Sequence, residues 1–546
     1  MKKFIILTLL ISRLFAQNFV SPIWKMGDNE VNLLIGWERQ GYFWQTERKI
    51  ITNEFEIKNL KNDYELIINL RCTVHDILIN GERVGGDIVN KFNWSDPADL
   101  KAEKRFAIPK NLLKNQNVIE ISVSDFQYTG GKSYNYCRIE PKNLQSKSTI
   151  KFQFANDDHL YLDDNRLQFK IKYRSSSIGN INLRINSDFH EEIFQQDYKV
   201  DNTSGEITVD LSDKNIKPGI YECVAYLNDN GFCGEVQWFT LSPEKIQCTN
   251  TKPQGFDEYW EDALMDLKKV KPEFNMYKVD SLQSETRDGY IVEMKSLNGI
   301  TIRGYYFVPK TEGTYPAILH LPGMGYGFQH HDVYLKNQEE VAELLLCVRN
   351  HGIADEEVPV WGMPGQWGTN ICETKKYSYR GLNMDCVRAL EFLESRPEID
   401  NSRIGCDGGS QGGGLTLMLA GLCYDRLSAV AYFDPFPCDV KDVMGIRIIV
   451  RQELQRYLDY YSDCDWETAM RTVDIHDTKH FAEKIKCPVF FSAGLYDDDC
   501  PAHIGFAAYN TILSEKKYKV NPNDSHIGES NYNKAFMAYF KEVYGY

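Results

Sequence analysis

Several features that would indicate particular classes of protein are scarce in this sequence of 546 residues. Its 14 Cys residues form no Cys-x-x-Cys pair, so neither a zinc site nor a dense disulfide framework is indicated. Beyond the first residues, no stretch has the roughly 18 uninterrupted apolar residues of a transmembrane helix. Basic residues number 62 against 77 acidic ones, and the formal net charge is −15. We therefore expect mostly reduced, buried thiols, no metal, and no nucleic-acid or anionic-membrane partner.

The composition is that of a globular chain, and the length predicts several domains. Hydrophobic residues make up 42% of the sequence and charged residues 25%, as in ordinary folded domains. At roughly 100 to 200 residues per domain, the chain has room for about three.

The first 16 residues have the pattern of a secretory signal peptide. Two Lys residues precede an apolar run, and the small residue Ala16 stands before Gln17. The run is too short to anchor the chain in a bilayer, and Arg13 interrupts it. We therefore expect a secreted or periplasmic protein without a membrane anchor, although a buried first strand would give a similar pattern.

Residues 18–142 alternate apolar and polar side chains between turn residues, which predicts a first β-sandwich. The Ile-Asn80-Gly81-x-x-Val-Gly hairpin and the later Phe106-Ala-Ile-Pro run resemble the galactose-binding-like jelly-roll domain that opens family-two glycoside hydrolases. Some aromatic residues here could stack on sugar rings, although aromatic side chains of a sandwich lie in the core more often. These residues are Trp37, Trp44, Tyr128 and Tyr134.

Residues 145–245 predict a second, immunoglobulin-like β-sandwich that serves as a spacer or interaction module. Its clearest element is a hairpin whose turn we expect at Asn230-Gly231. With a two-residue turn there, Cys223 lies opposite Trp238 and cannot form a disulfide with Cys233.

Residues 250–546 change to alternating helices and strands, which predicts an α/β domain with a mainly parallel sheet. The pattern indicates helices near 333–343 and 379–395 and strands near 317–321, 344–348, 403–409, 429–433 and 488–493. A β-hairpin near 291–309 precedes them.

The run Arg403-Ile-Gly-Cys-Asp-Gly-Gly-Ser410-Gln-Gly-Gly-Gly-Leu has the form of a nucleophile elbow, in which a strand turns sharply into a helix. Gly408 and Gly412 flank Ser410 at the ±2 positions and permit the close approach of two chain segments. The backbone N–H of Gln411 could stabilise a developing oxyanion at the helix N-terminus. An ordinary glycine-rich turn remains the alternative for this run alone.

An acid and a His follow the Ser in the chain order that the elbow requires. Asp497 ends an apolar strand, and His526 lies in the polar loop after the last predicted strand. In this scheme His526 takes the proton of Ser410, and Asp497 fixes the imidazole tautomer and stabilises its cation. A serine hydrolase of this type needs no metal or organic cofactor.

Residues 254–546 resemble the acetyl xylan esterase and cephalosporin-C deacetylase group, carbohydrate esterase family seven. The matching stretches are Phe256-Asp-Glu-Tyr-Trp-Glu, Tyr377-Ser-Tyr-Arg-Gly-Leu-Asn-Met-Asp-Cys, the elbow, and Gly494-Leu-Tyr-Asp497…Pro501…Phe506-Ala-Ala-Tyr-Asn. The resemblance implies an α/β-hydrolase fold and a triad of Ser410, Asp497 and His526. It also implies two oxyanion donors, the N–H of Gln411 and that of Met324.

Three departures from the family pattern bear on this assignment. The chain has Pro322-Gly323-Met324 where the family usually has His-Gly-Tyr, so a thioether replaces an aromatic ring of the acyl pocket. It has Arg349-Asn350-His351 in place of Arg-Gly-Gln, and Ile527 in place of Glu after the catalytic His. The segment Ala354–Thr374 is either a lid or rim over the site or an ordered surface loop.

The sequence thus favours a secreted serine ester hydrolase that removes acetyl groups from xylan-type or related carbohydrates. One alternative is the same scaffold acting on another ester or on a peptide or amide bond. Another is a carbohydrate-binding protein whose hydrolase domain is vestigial. A homo-oligomer is compatible with the resemblance, although the two additional domains could block the family's contacts.

Overall fold

A computed structural model describes residues 20–34, 37, 40–42, 47–89, 103–126, 135–142, 148–162, 166–175, 178–201, 204–228, 232–248, 251–325, 327–328, 331–337, 339–461, 463–526 and 532–546. Several predictions lie outside these residues, namely the signal peptide, Trp44, Tyr128, Tyr134, the Asn230-Gly231 turn and Ile527. The chain divides into two compact units. The N-terminal unit consists of the chain up to Pro243 together with the short segment Ile446–Ile449. The C-terminal unit consists of Glu244–Gly445 and Val450–Tyr546.

The first part of the N-terminal unit contains two antiparallel sheets, of orders β2-β1-β3-β8-β5-β6 and β7-β4-β9. One apolar core includes Ile51, Ile77 and Ile121 of the larger sheet and Leu66 and Ile139 of the smaller. The strands are β1 Ile23–Met26, β2 Asn29–Asn32, β3 Lys49–Glu56, β4 Tyr64–Asn69, β5 Thr73–Ile79, β6 Glu82–Ile88, β7 Lys104–Ile108, β8 Gln116–Ser124 and β9 Tyr136–Pro141. The jelly-roll classification stays a prediction.

Trp37 belongs to this core. Its side chain is fully buried and packs edge-on against Phe126. A sugar ring therefore cannot reach it in this conformation, and the core alternative applies to this residue.

The second part has a three-stranded sheet of order β10-β12-β15 and a five-stranded sheet of order β11-β17-β16-β13-β14. Ile171 of the first and Leu183 of the second lie in one apolar core. The strands are β10 Thr149–Gln153, β11 Leu160–Tyr161, β12 Gln168–Arg174, β13 Gly179–Ser187, β14 Glu192–Val200, β15 Ser204–Asp210, β16 Gly219–Asn228 and β17 Phe232–Leu241. The immunoglobulin-like classification stays a prediction.

The predicted register of the last hairpin is wrong by one residue. Asn228 pairs with Phe232, so three residues separate the strands and Cys223 lies opposite Gln237. Cys233 lies opposite Leu227, so Cys223 and Cys233 are not cross-strand partners.

The C-terminal unit has a nine-stranded sheet of order β18-β19-β20-β22-β21-β23-β24-β25-β26. Adjacent strands from β22 to β26 in this order pair in parallel, and the three pairs before them are antiparallel. The strands are β18 Asn275–Lys278, β19 Arg287–Lys295, β20 Thr301–Pro309, β21 Tyr315–Leu321, β22 Ala342–Cys347, β23 Ile399–Ser410, β24 Ala429–Pro435, β25 Val489–Gly494 and β26 Lys516–Asn521.

Within the described ranges, ten α-helices connect or flank these strands. The longest, Ser378–Glu394, is buried along most of its length, and the helix after Ser410 is buried as far as Gly421. The helices are α1 Phe256–Lys268, α2 Asp332–Leu335, α3 Gly365–Gly368, α4 Ser378–Glu394, α5 Gln411–Leu422, α6 Val440–Ile446, α7 Ile448–Tyr460, α8 Trp466–Ile475, α9 Ala502–Thr511 and α10 Tyr532–Tyr544. None of the helices in the described part of the chain has the length and hydropathy of a bilayer-spanning helix.

The helix expected near 333–343 is mostly wrong. Among the described residues of this range, helix is confined to Asp332–Leu335, and the chain is already a strand from Ala342. Every residue of Ala342–Cys347 is buried. A strand covered on both faces has a continuous apolar run, which periodicity alone does not separate from a buried helix.

The parallel strands determine where the predicted site residues lie. Their carboxyl ends meet at one edge of the sheet, where ligands of open α/β sheets bind. β21 leads into the turn with Met324, β23 ends at Ser410, and Asp497 and His526 follow β25 and β26. Chain order and sheet order thus bring distant residues to one edge.

Candidate active site

Ser410 occupies the sharp turn between β23 and α5. Its φ of 57° and ψ of −126° are unusual for a residue with a side chain. A Cβ atom on Gly408 would lie 2.4 Å from the backbone of Gly412, and one on Gly412 would lie 2.3 Å from the carbonyl oxygen of Leu321. Only glycine fits at either position, and the strained turn presents the serine hydroxyl at the start of the helix.

Asp497 and His526 are hydrogen-bonded, with 2.7 Å between Asp497 Oδ2 and His526 Nδ1. The other carboxylate oxygen of Asp497 accepts the backbone N–H groups of Asp499 and Cys500 at 2.9 and 2.8 Å. These bonds fix the carboxylate, which in turn orients the imidazole. Because Nδ1 faces Asp497, Nε2 is the nitrogen available to a substrate or nucleophile.

The protonation of His526 reflects two opposing influences. Burial is the largest single influence and disfavours the imidazolium, but the contacts with Asp497 and Cys500 together outweigh it, so the pKa of His526 is raised well above its ordinary value. The pair is therefore built to stabilise a positive imidazole, which forms whenever a neutral His526 accepts a proton.

Cys500 lies next to both Ser410 and His526. Its Sγ atom lies 3.9 Å from Ser410 Oγ, and the same thiol interacts with His526. Burial is the main reason why the pKa of Cys500 is raised to about 11, so the group is a neutral thiol near pH 7. This residue was not predicted from the sequence, since only its position three residues after Asp497 could have drawn attention to it.

The two predicted oxyanion donors lie on neighbouring segments. Gln411 is the first residue of α5, and its side chain is fully buried. The turn that contains Met324 follows Leu321, whose carbonyl group approaches Gly412 closely. The backbone of this turn therefore runs beside the elbow, as a two-donor oxyanion site requires.

A buried network fixes the side chain of Gln411. Its Oε1 accepts hydrogen bonds from Gln366 Nε2 at 2.8 Å and from the Tyr379 hydroxyl at 3.2 Å. Its Nε2 therefore donates to His351 Nε2 at 3.0 Å, and His351 Nδ1 donates to the carbonyl oxygen of Arg349, also at 3.0 Å. Burial lowers the pKa of His351, so a neutral histidine fills the place of the family's glutamine.

The segment Ala354–Thr374 is anchored at several points. Trp367 is buried against Phe436 and Tyr457, and Cys372 forms a disulfide with Cys464. This pairing was not predicted, whereas other thiols, such as Cys406 and Cys438, are buried as expected.

Trp361 of the same segment lies at the turn that contains Met324, which we call the oxyanion turn. Its side chain is 50% exposed, and a Cβ atom on Gly325 would lie 2.4 Å from its ring. The indole thus packs directly against the residue that follows Met324. This contact favours the rim alternative for the segment.

Two groups of side chains have ligand atoms close enough to hold a metal ion. In the first, which contains Asp439, the Nζ atom of Lys479 lies 2.5 Å from Asp439 Oδ1, so an ammonium group already supplies the positive charge that a metal ion would bring. In the second, His480 Nε2 lies 3.0 Å from Asp474 Oδ1, as in an ordinary hydrogen bond. Neither arrangement points to a resident metal. The groups are Asp439, Asp442 and His503, and Asp474, Asp477 and His480.

Comparison with known proteins identifies the family. The family model described as acetyl xylan esterase (AXE1) matches residues 237–543, more than half of the chain. Acetyl esterase Axe7A of Xylanibacter ruminicola is 27% identical over 311 residues, which cover 55% of this chain and 70% of that protein.

Two solved structures are similar to the same part of the chain. Acetyl xylan esterase 1 of Thermoanaerobacterium sp. JW/SL YS485 is 27% identical with a TM-score of 0.51, and the match covers 55% of this chain and 98% of that one. Acetyl xylan esterase of Paenibacillus sp. R4 is 28% identical with a TM-score of 0.50 and the same coverage. The resemblance seen in the motifs is therefore confirmed, and the chain belongs to the acetyl xylan esterase family of carboxylic ester hydrolases.

Proposed function

We propose that this chain removes acetyl groups from xylan-type or related acetylated carbohydrates through an acyl-enzyme on Ser410. The observation that carries the proposal is the strained serine elbow together with the hydrogen-bonded Asp497–His526 pair at the same sheet edge. Family membership supports the substrate class.

In the proposed first half-reaction, Ser410 Oγ attacks the acetyl carbonyl carbon while His526 Nε2 accepts the hydroxyl proton. The Asp497 carboxylate stabilises the imidazolium through its bond to Nδ1. The N–H groups of Gln411 and Met324 donate to the oxyanion of the tetrahedral intermediate. His526 then returns the proton to the sugar oxygen, which leaves as an alcohol.

In the second half-reaction, water attacks the acetyl group on Ser410. His526 accepts a proton from this water and then returns it to Ser410 Oγ, so acetate and free enzyme result. The neutral thiol of Cys500 lies beside both groups and takes no part in the proton balance. The chemistry needs only the side chains and backbone donors described above.

The decisive experiment measures acetate release from acetylated xylo-oligosaccharides by the wild type and by Ser410→Ala. We expect the variant to lose about 10⁴- to 10⁶-fold in turnover, because only binding and oxyanion stabilisation remain. Ser402→Ala is the matched control, since Ser402 is an exposed residue of the same strand. Equal loss in both variants would contradict a special role for Ser410.

The two alternatives give different results in the same assay. A peptide or another ester hydrolysed in preference to the acetylated sugar would favour a different substrate on the same scaffold. Sugar binding without turnover, and no labelling of Ser410 by a serine-directed phosphonate, would indicate a vestigial hydrolase domain. The proposal includes export of the protein by a signal peptide at residues 1–16. Sequencing the N-terminus of the mature protein tests this.

A further inference from the structure

A second carboxyl group lies beside the Asp497–His526 pair and has no role in the mechanism above. It belongs to Asp434 near the end of β24, the strand that neighbours β25. Asp434 is fully buried and has a positive φ of 28°. Its Oδ2 atom accepts the backbone N–H of Gly494 at 3.0 Å. Burial of an aspartate in this way needs an explanation, because an ionised carboxylate is costly to remove from water.

The second oxygen of Asp434 lacks a hydrogen-bond donor within the described part of the chain. Among the described residues, no N–H or O–H group donates to Asp434 Oδ1. β24 pairs with β25, the strand that leads to Asp497, and the Asp434 side chain interacts with the carboxyl group of Asp497. Two ionised carboxylates in such contact repel each other, whereas one shared proton makes a short, favourable hydrogen bond.

The hydrogen bonds of Asp497 show which of the two carries the proton. Asp497 accepts from Asp499 N–H, Cys500 N–H and His526 Nδ1. Asp434 accepts from a single N–H group, that of Gly494. The carboxyl group with fewer donors costs more to ionise, so the proton belongs on Asp434.

We propose that Asp434 is a positioning residue whose carboxyl group stays protonated and donates a hydrogen bond to Asp497. The donated bond would hold the Asp497 carboxylate against His526 while leaving one negative charge in the group. No proton moves to or from Asp434 during the reaction. Its effect on turnover rests on the proposed function, whereas its protonation does not.

The electrostatic surroundings agree with this assignment. Burial is the largest influence and the Asp497 charge the next, and together they raise the pKa of Asp434 well above its ordinary value. The Gly494 N–H and the His526 imidazole act in the opposite direction. Tyr432 on the same strand also interacts with Asp434, and burial raises the pKa of Tyr432.

The test compares Asp434→Asn with Asp434→Ala on a small activated acetate ester. Asn has nearly the same shape, is always neutral, and can accept from Gly494 while donating to Asp497. We expect it to keep kcat within about threefold of the wild type. Ala cannot donate, so we expect kcat to fall about 10- to 100-fold with KM nearly unchanged.

The pH profile separates a positioning role from a merely structural one. A neutral His526 is required, so the acid limb of kcat/KM reports its pKa. If Asp434 is protonated in the wild type, the Asp434→Asn substitution leaves the charge near His526 unchanged, and the acid limb stays at the same pH. If Asp434 is ionised, Asn removes a negative charge near His526 and moves the limb down by about one pH unit or more. The latter result would overturn the proposal.

Infrared difference spectroscopy provides a readout that does not depend on turnover. The spectrum of the wild type minus that of Asp434→Asn should contain the carbonyl stretch of one protonated carboxylic acid at pH 7. Absence of this band would also overturn the proposal. The pH profile and the infrared spectrum both use only the Asp434→Asn variant, so they remain decisive if Asp434→Ala does not fold.

Failure of the proposed function would look different. If the wild type hydrolyses the small ester but releases no acetate from sugars, the substrate assignment fails while the Asp434 comparison stands. If Ser410→Ala retains full activity on the small ester, the triad assignment fails, and the infrared band still tests the protonation of Asp434.

Discussion

The six-stranded sheet of the N-terminal unit and the C-terminal unit hold charged side chains in different environments. In the first, Asp76 pairs with Arg48 and Arg83 on an exposed face, where each of the three side chains is 40% exposed or more. In the second, Arg349 holds Asp385 through two bonds of 2.8 and 2.9 Å, with both side chains almost fully buried. Water screens the first group, whereas the second must satisfy its charges internally.

The difference indicates where this fold needs fixed geometry. The buried charged groups of the C-terminal unit include Asp497 at the carboxyl ends of the parallel strands and His320–Asp407 on β21 and β23. Such groups contribute little net stability compared with apolar packing, but they define the orientation of their neighbours. Removing them one at a time should therefore affect activity and stability to different degrees.

The largest effect is expected for Asp497→Asn. The variant loses the charge that stabilises the imidazolium, so kcat/KM should fall about 10⁴-fold. Because Asp497 raises the pKa of His526, wild-type activity should be lost as the pH falls through this raised pKa, and the acid limb should move to lower pH in the variant. Rates of a small acetate ester against pH measure both effects. An unmoved acid limb would contradict the assignment of His526 as the base.

The second prediction tests the comparison through stability. Asp385→Ala leaves the Arg349 guanidinium buried without its main partner and should lower the free energy of unfolding by about 3–5 kcal/mol. Asp76→Ala, the matched change on the exposed face, should leave the thermal midpoint unchanged. The double variant Arg349→Met/Asp385→Leu should recover much of the loss. Equal effects of the two single changes, measured by thermal unfolding, would remove the distinction between the regions.

Part of the site follows from sequence because its signals are local. The elbow requires glycine at fixed positions around Ser410, and a strand followed by an acid or a His is visible in a single sequence. Chain order then predicts that Ser410, Asp497 and His526 belong to neighbouring strand ends. The comparisons confirm the family, while the catalytic roles stay predictions.

The remaining features depend on contacts that no local pattern encodes. Cys500 and Asp434 matter because separate strand ends bring their side chains beside His526 and Asp497. The bond from Gln411 to His351 joins residues 60 positions apart. Local patterns are also ambiguous in places, and the predictions are wrong there, as for the buried strand Ala342–Cys347 and the register of the hairpin strands Gly219–Asn228 and Phe232–Leu241.

A smaller effect is expected at His351, which accepts a hydrogen bond from the buried amide of Gln411. His351→Ala removes this acceptor and should lower kcat about tenfold. His351→Gln provides an acceptor again and should stay within about threefold of the wild type. Since burial lowers the pKa of His351, neither change should move the acid limb. Steady-state rates over the pH range check this, and full activity of the Ala variant would show that the network does not position Gln411.

The smallest effect concerns Trp361, the half-exposed ring that packs against Gly325 beside the oxyanion turn. An indole face at this place can stack on the sugar that carries the acetyl group, so Trp361→Ala should raise KM for acetylated xylo-oligosaccharides about three- to tenfold. A small acetate ester has no sugar to stack on the ring, so its KM should not change. Tyr424→Ala is the control, because Tyr424 is also exposed but follows the far end of α5. An equal rise for both substrates would mean that Trp361 supports the oxyanion turn and does not bind sugar.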